Sequence, residues 1–248
     1  MYLIGDIGNT DIKICLFDKN YKVVKKLVLK TNLISNKYLA LKLNFLKKYS
    51  KKINKVLFSS VVPSVYSDIK KFLKKKIKQK CIELKQVNLN KLVKIMVNHK
   101  QAGSDRISNA IGIIDKKFNY IILDFGTATT FDVVVKDKYL GGVIAPGVNL
   151  SLKTLISKAS LIPPVNLSKI SKIVGTNTSS AVKSGFYWGY AGLIDNVIKL
   201  IIKQTNKTFK IILTGGLAHL YKNTIKGKIE VKKDLTINGL LKVVKNLK

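Results

Sequence analysis

The stretch Gly103-Ser104-Asp105-Arg106 concentrates the residues best suited to chemistry. Lys and Arg together number 46, yet Arg106 is the single arginine. A guanidinium presents a planar fork of donors that grips a carboxylate or phosphate at two points, whereas an ammonium offers a point charge. Arginine at this one place therefore marks a position where geometry matters. The carboxylate beside it, Asp105, is a group able to take a proton from an attacking hydroxyl. The ordinary alternative, a helix-start carboxylate with an ion-pairing neighbour, leaves the choice of arginine unexplained.

A second pattern occurs twice. "DIGNTDIKICLFD" from Asp6 and "DFGTATTFDVVVKD" from Asp124 each read as a strand ending in Asp-x-Gly, small hydroxyl or amide residues, and a second strand. The glycine lets backbone approach a ligand closely, the turn exposes N–H groups to phosphate oxygens, and the aspartate can hold a hydrated cation. One such turn is common between strands. Two at matching places indicate an internal duplication, and two facing hairpins could clamp one nucleotide. Leu213-Thr214-Gly215-Gly216, a strand running into a glycine pair, is a third place where backbone could approach a ligand.

These residues need elements to carry them. Short β-branched and aromatic runs over residues 2–7, 12–17 and 21–29 predict an antiparallel meander. A helix over residues 35–49 follows, then a buried strand over 55–62, a helix opened by Pro63 and running to about residue 78, a strand over 81–87 and a helix over 105–115. The second half repeats the opening with strands over residues 120–124, 130–135 and 139–144. A helix, a looser region around Pro163-Pro164, a long helix over 178–203, a strand over 209–213 and closing elements complete it. Gly185, Gly189 and Gly192 share one face of the long helix, where small residues allow close packing within the chain or against a second copy; Tyr187, Trp188 and Tyr190 read as core or interface aromatics. The expected class is α/β, with two duplicated domains at residues 1–117 and 118–248.

The duplicated Asp-x-Gly arrangement resembles the superfamily of acetate and sugar kinases, heat-shock chaperone ATPases and actin, which implies two ribonuclease-H-like domains with mixed sheets flanked by helices. Within it the chain most resembles type III pantothenate kinase. The resemblance is carried by "DIGNTDIK" at 6–13, "SSVVPS" at 59–64, "GSDR" at 103–106, "DFGTATTFD" at 124–132, "GGVIAPG" at 141–147 and "GTNT" at 175–178. It implies ATP-dependent phosphorylation of pantothenate to 4′-phosphopantothenate, the first step towards coenzyme A, with Mg2+ accompanying ATP. Asp6, Ile7, Gly8, Asn9, Thr10, Asp11, Ile12, Lys13 and Thr127 would contact ATP, with Asp6 organising the hydrated divalent ion. Asp124 would help hold a monovalent cation, potassium or ammonium. Met96, Gly103, Ser104, Asp105, Arg106 and Thr178 would form the pantothenate site, with Asp105 the catalytic base. A tyrosine and a proline typically precede the Gly-x-Asp-Arg turn in that family; Met96 and His99 stand at those places here. The resemblance also implies a homodimer. Two other readings are a different small-molecule kinase of the superfamily and a kinase-related, nucleotide-binding transcriptional regulator.

Composition narrows the partners. The net charge of +33 invites a nucleic-acid reading. Lysines, however, occur in nearly every segment rather than in one patch, and runs such as Lys74-Lys75-Lys76 lack interleaved aromatics. Salt-sensitive attraction to polyanions is expected, and a specific nucleic-acid partner is not. The two cysteines, Cys15 and Cys81, form no metal-binding spacing and read as reduced thiols. Met1-Tyr2-Leu3-Ile4-Gly5-Asp6 has no basic region of the signal-peptide kind, and no apolar run is long enough to span a bilayer, so a cytoplasmic protein is expected.

Overall fold

Three apolar-rich runs separated by polar turns open the computed structural model, which describes residues 1–247. Strands β1 (Tyr2–Ile7), β2 (Asp11–Phe17) and β3 (Val23–Lys30) pair antiparallel, as the spacing predicts. Asp18 shapes the second turn, its Oδ1 accepting from the backbone N–H groups of Asn20 and Lys22 at 2.8 and 2.9 Å. The helix expected over residues 35–49 is two short helices, α1 (Asn36–Lys42) and α2 (Leu46–Tyr49). Leu43 leaves helical geometry and accepts from the Leu46 N–H at 3.0 Å, a tight turn that buries both leucines.

Strand β4 (Lys55–Ser60), helix α3 (Pro63–Ile77) and strand β5 (Cys81–Glu83) follow. The strand predicted over residues 81–87 stops at Glu83 because that side chain folds back. Its Oε2 accepts from the Lys85 N–H at 2.7 Å and its own N–H donates to the Gln86 side chain at 3.3 Å, closing a helical turn over Leu84–Gln86. A two-residue strand, β6 (Lys94–Ile95), and helix α4 (Ser104–Ile113) complete this part. The first sheet runs β3-β2-β1-β4-β5, with β4 parallel to both β1 and β5.

The second half comprises β7 (Asn119–Phe125), β8 (Ala128–Val135), β9 (Lys138–Pro146), α5 (Val148–Lys158), α6 (Thr178–Thr205), β10 (Lys210–Gly215), α7 (Ala218–Tyr221), β11 (Ile229–Val231) and α8 (Leu235–Asn246). Its sheet runs β9-β8-β7-β10-β11, with β7 antiparallel to β8 and parallel to β10. Strand for strand this is the order of the first sheet. The short β6 pairs with Lys138 and Tyr139 at the start of β9.

The chain forms two compact units, one of residues 1–114, 137–139 and 234 onward, the other of residues 115–136 and 140–233. The division expected at 117/118 put residues 234–248 in the second unit; α8 instead belongs to the first, where it packs on α4, β1 and β4. The other face of the first sheet buries Leu3, Ile7, Ile12 and Ile14 with Phe72 and Leu73 of α3. In the second unit Ile121, Leu123 and Phe131 pack with Ile194, Ile198 and Tyr221.

The sequence of α8 allows it to lie unusually close to α4. A Cβ on Gly239 would stand 1.9 Å from the Ser108 carbonyl oxygen, and one on Gly112 would stand 2.8 Å from Leu235 Cδ1. The polar atoms enclosed there are paired: Ser108 Oγ donates to the Thr236 carbonyl at 2.8 Å, and Thr236 Oγ1 donates to Asn109 Oδ1 at 2.9 Å. Lys242 Nζ donates to the Ile114 carbonyl at 3.3 Å, satisfying the C-terminal end of α4. Because the obstacle at Gly239 is backbone, Gly239→Ala is expected to destabilise the chain by about 1–3 kcal/mol or more through overpacking. Urea denaturation checks this, and an unchanged midpoint would contradict the close contact.

Candidate active site

The turn between β1 and β2 is closed by the Gly8 N–H donating to the Asp11 carbonyl at 3.0 Å. Thr31 braces it from outside, its hydroxyl donating to the Gly8 carbonyl at 2.8 Å and its N–H to the Thr10 carbonyl at 3.0 Å. Asn9 and Thr10 are left exposed at the tip. Ile7 and Ile12 are buried in the core, so only their backbone is available to a ligand. Register places Asp6 opposite Lys13 and beside Ser59, and directly opposed residues share a face. The Ser59 hydroxyl donates to Asp6 Oδ1 in a short hydrogen bond. Lys13 Nζ lies 3.9 Å from Asp234 Oδ1, whose other oxygen takes Lys26 Nζ at 2.5 Å; Asp11 pairs with Lys30 at 2.6 Å.

The Gly103-Ser104-Asp105-Arg106 segment forms the first turn of α4. A Cβ on Gly103 would stand 2.4 Å from Asp105 Oδ1, so a larger residue there would push that side chain aside. That oxygen accepts from the Arg106 N–H at 2.8 Å, so the carboxylate folds back over the start of the helix, where it also meets the positive end of the peptide dipoles. Burial pushes the Asp105 carboxyl above the ordinary range, and this outweighs the opposing pulls of the Arg106 N–H, the Arg106 guanidinium and the Lys85 ammonium. The side chain retains a partial opening to solvent. Ser104 is buried and its hydroxyl is committed to Glu83 Oε1 at 2.5 Å. Met96 is exposed, while its N–H donates to the Tyr139 carbonyl at 2.9 Å.

In the second unit the turn after Asp124 is closed by the Gly126 N–H donating to the Ala128 carbonyl at 3.0 Å. Register puts Thr214 beside Asp124, the counterpart of Ser59 beside Asp6. Gly215 has φ +87°, and a Cβ there would stand 2.6 Å from Asp124 Oδ1 and 2.5 Å from the Phe125 carbonyl oxygen. A Cβ on Gly147, just before α5, would stand 2.1 Å from the Thr127 carbonyl oxygen. Two bare glycines thus pack against the Asp124–Thr127 turn, Gly215 on the Asp124 carboxylate and Phe125 carbonyl, Gly147 on the Thr127 carbonyl. Thr127 is exposed, and Thr178 is the exposed first residue of α6, behind Asn177, whose side chain accepts from the Ser180 N–H at 2.9 Å.

The Asp6–Lys13 turn, Met96 and the Gly103–Arg106 turn belong to the first unit, and Asp124, Thr127 and Thr178 to the second. Reading along the chain missed Ser59, Thr31, Asp234, Glu83 and Gly147 as supports. Parallel pairing of β1 with β4, which brings Ser59 to Asp6, leaves no local signature.

A carboxylate and carbonyl oxygens, as in the Asp124–Thr127 turn, are the hard donors a large monovalent cation would take. Among the described residues no group of three or more His, Cys, Asp or Glu side chains could enclose a metal ion. A divalent ion here would rest on one carboxylate and the phosphates of a nucleotide, the usual way Mg2+ is held.

Two Asp-x-Gly hairpins, in two sheets of equivalent strand order with parallel strands beyond the first strand of each, define the actin-like ATPase and sugar-kinase fold. Solved structures agree on that fold. A protein described as a 2-dehydro-3-deoxygalactonokinase from Sinorhizobium meliloti superposes with TM-score 0.63 at 10% identity over 99% of both chains. One described as a Baf family transcriptional activator from Campylobacter jejuni superposes with TM-score 0.61 at 21% identity over 98% of both. At such identities the likeness carries the fold alone. Sequence carries more: residues 2–200 match the family model described as type III pantothenate kinase. A type III pantothenate kinase from Pelagibacter ubique is 55% identical over 248 residues, covering 100% of both chains. The chain belongs to the type III pantothenate kinase family.

A carboxyl with a raised folded-state pKa holds its proton more firmly in the folded chain than in the unfolded one. Its contribution to stability is therefore greatest at acid pH and is lost as pH rises from the ordinary carboxylate range through the raised value. Asp105→Asn removes the buried charge and keeps an acceptor for the Arg106 N–H. It is expected to raise the melting temperature at neutral pH by about 2–4 °C per kcal/mol recovered, with the gain shrinking towards about pH 4. Melting scans across pH check it; a variant less stable at pH 7 than at pH 4, relative to wild type, contradicts the sign.

Proposed function

We propose that this chain transfers the γ-phosphoryl group of ATP to the terminal hydroxyl of pantothenate, giving 4′-phosphopantothenate and ADP, the first step towards coenzyme A. The observation that carries the reading is the folded-back carboxylate of Asp105 beside the single arginine, in a chain related over its full length to a type III pantothenate kinase. In the step proposed, the hydroxyl oxygen of pantothenate bonds to the γ-phosphorus, the bond to the β–γ bridging oxygen breaks, and Asp105 takes the hydroxyl proton. A raised carboxyl pKa makes Asp105 a stronger base than an exposed aspartate, matched more closely to neutral pH. Arg106 would grip the pantothenate carboxylate or a phosphate oxygen, with Gly103 and Ser104 supplying backbone, Met96 an apolar wall and Thr178 a hydroxyl. The turn from Asp6 to Lys13, with Thr127, would hold the ATP phosphates by exposed backbone N–H groups, hydroxyls and the Lys13 ammonium.

Asp124 and the neighbouring carbonyls would hold K+ or NH4+, which neutralises phosphate charge without demanding an octahedral shell, and Asp6 would orient hydrated Mg2+ on ATP. No helix among the described residues is long and apolar enough to cross a membrane. Both cysteines are free and buried, with burial pushing the Cys15 thiol up to about 11 and the Cys81 thiol up to about 12; this suits the reducing cytoplasm, where the proposed activity belongs.

Purified protein with ATP, Mg2+, K+ and pantothenate is expected to release ADP only when pantothenate is present. Asp105→Asn should lower kcat by about 10²–10⁴-fold while leaving ATP binding largely intact. Arg106→Lys keeps the charge and loses the fork, so kcat/KM for pantothenate should fall by about tenfold or more. Absence of pantothenate-dependent turnover, with or without K+, would sink the assignment.

A homodimer is the assembly we infer. A Cβ added at Gly185, Gly189 or Gly192 would meet nothing within 4 Å, so the glycine face of α6 is not spent on packing within its own unit. Exposed apolar side chains, including Ile144, Leu161, Ile173 and Val174, belong to the same unit. Gly189→Arg is therefore expected to leave the melting transition in place and shift the sedimentation coefficient from dimer to monomer. A wild-type chain that sediments as a monomer at micromolar concentration would remove this inference.

A further inference from the structure

The turn at the end of β5 lies outside every motif used so far, yet it grips the segment that carries Asp105 at two places. Glu83 spends both carboxylate oxygens locally. Oε1 accepts from the Ser104 hydroxyl at 2.5 Å, and Oε2 accepts from the Lys85 N–H at 2.7 Å. Lys85 in turn sends its ammonium to the Lys100 carbonyl at 3.1 Å, on the loop that leads into Gly103. Ser104 is almost wholly enclosed, with 1% exposure, so its hydroxyl has this carboxylate as its partner rather than solvent. Hydrogen bonds to an ionised acceptor are about twice as strong as neutral ones, and a buried hydroxyl that loses its partner bears the full cost of desolvation. One residue further on, the Asp105 carboxylate is folded over the helix start, where a Cβ on residue 103 would displace it. A small rotation of the first turn of α4 would carry that carboxylate out of place.

We propose that Glu83 is a positioning residue for phosphoryl transfer: through Ser104 it fixes the first turn of α4 and thereby aims the Asp105 carboxylate at the substrate hydroxyl. This rests on the reading of Asp105 as the base. The charged groups that bear on Asp105 are Arg106 on its own helix and Lys85 on the same β5 turn as Glu83. Glu83 thus places one of those two cations by holding its backbone. The role is geometric, so it should appear in kcat rather than in ATP affinity, because misplacing a catalytic group by about 1 Å can cost on the order of 10²-fold.

A double-mutant cycle in the full-length chain tests it, using Glu83→Ala, Ser104→Ala and the double variant, with kcat and both KM values measured and each variant shown to be folded by its melting transition. Each single change is expected to lower kcat by about 10- to 100-fold with the KM for ATP nearly unchanged, and the double should be no worse than the poorer single, because the two residues act as one unit. Glu83→Gln keeps one acceptor, for the Ser104 hydroxyl, while setting its NH2 against the Lys85 N–H, and should recover part of the kcat lost in Glu83→Ala. Losses that multiply in the double variant, an unaffected Ser104→Ala enzyme, or Glu83→Gln as impaired as Glu83→Ala would each overturn the proposal. Asp105→Asn, assayed alongside, separates the two claims. Turnover retained in that variant overturns the base assignment and the proposal together, whereas an inert Asp105→Asn beside a multiplying cycle overturns the proposal alone.

Discussion

The absence of a side chain at Gly239 lets α8 approach α4 until its backbone meets the Ser108 carbonyl. Much of the first unit depends on that approach. It encloses Ser108, Asn109 and Thr236, whose hydrogen bonds are satisfied only when the helices are in this register. It lets Lys242 satisfy the last carbonyl of α4. At its own start α8 presents Asp234, in the left-handed region at φ 55°, to Lys13 of the first hairpin and Lys26 of β3 beside it. A single helix therefore steadies both the element that bears Asp105 and the hairpin that bears Lys13.

The two hairpins share a framework and differ in equipment. In each, an aspartate ends a strand, a glycine closes the turn, and a parallel strand lays a hydroxyl residue alongside, Ser59 for Asp6 and Thr214 for Asp124. The first hairpin is ringed by lysines that find carboxylates, Lys13 and Lys26 at Asp234 and Lys30 at Asp11. The second is lined by Gly215 and Gly147 and gathers oxygens instead. Duplication supplied the geometry, and side-chain choice made one hairpin rich in charge pairs and the other lean, with glycines packed against it.

The frame was legible in the sequence because it is written in short-range signals. Asp-x-Gly turns, β-branched runs and Pro63 at a helix start each act within a few residues, and the meander, the duplication and the Gly103–Arg106 turn are all read from them. The family resemblance joined those pieces into a site. What lay beyond reach depends on pairing between distant segments. Residues 35–49 carry helical leucines, yet burying both Leu43 and Leu46 needs a turn between them. Residues 81–87 have strand composition, but Glu83 is recruited by Ser104 and its own turn, which ends the strand early. The placement of α8 in the first unit is the clearest case, since nothing local to residues 234–247 says which sheet they will cover.

That placement has a consequence for how the chain matures on the ribosome. The first unit is discontinuous, and its last piece, from residue 234 onward, follows all of the second unit's residues along the chain. Domains usually fold as units in the order in which they emerge, but here α4 emerges more than half a chain before the helix that closes over it. Until α8 arrives, the Gly112 and Ser108 surface of α4 stands uncovered. A chain stopped before residue 234 would therefore carry both Asp-x-Gly hairpins and the Gly103–Arg106 turn while lacking the helix that packs on α4, β1 and β4.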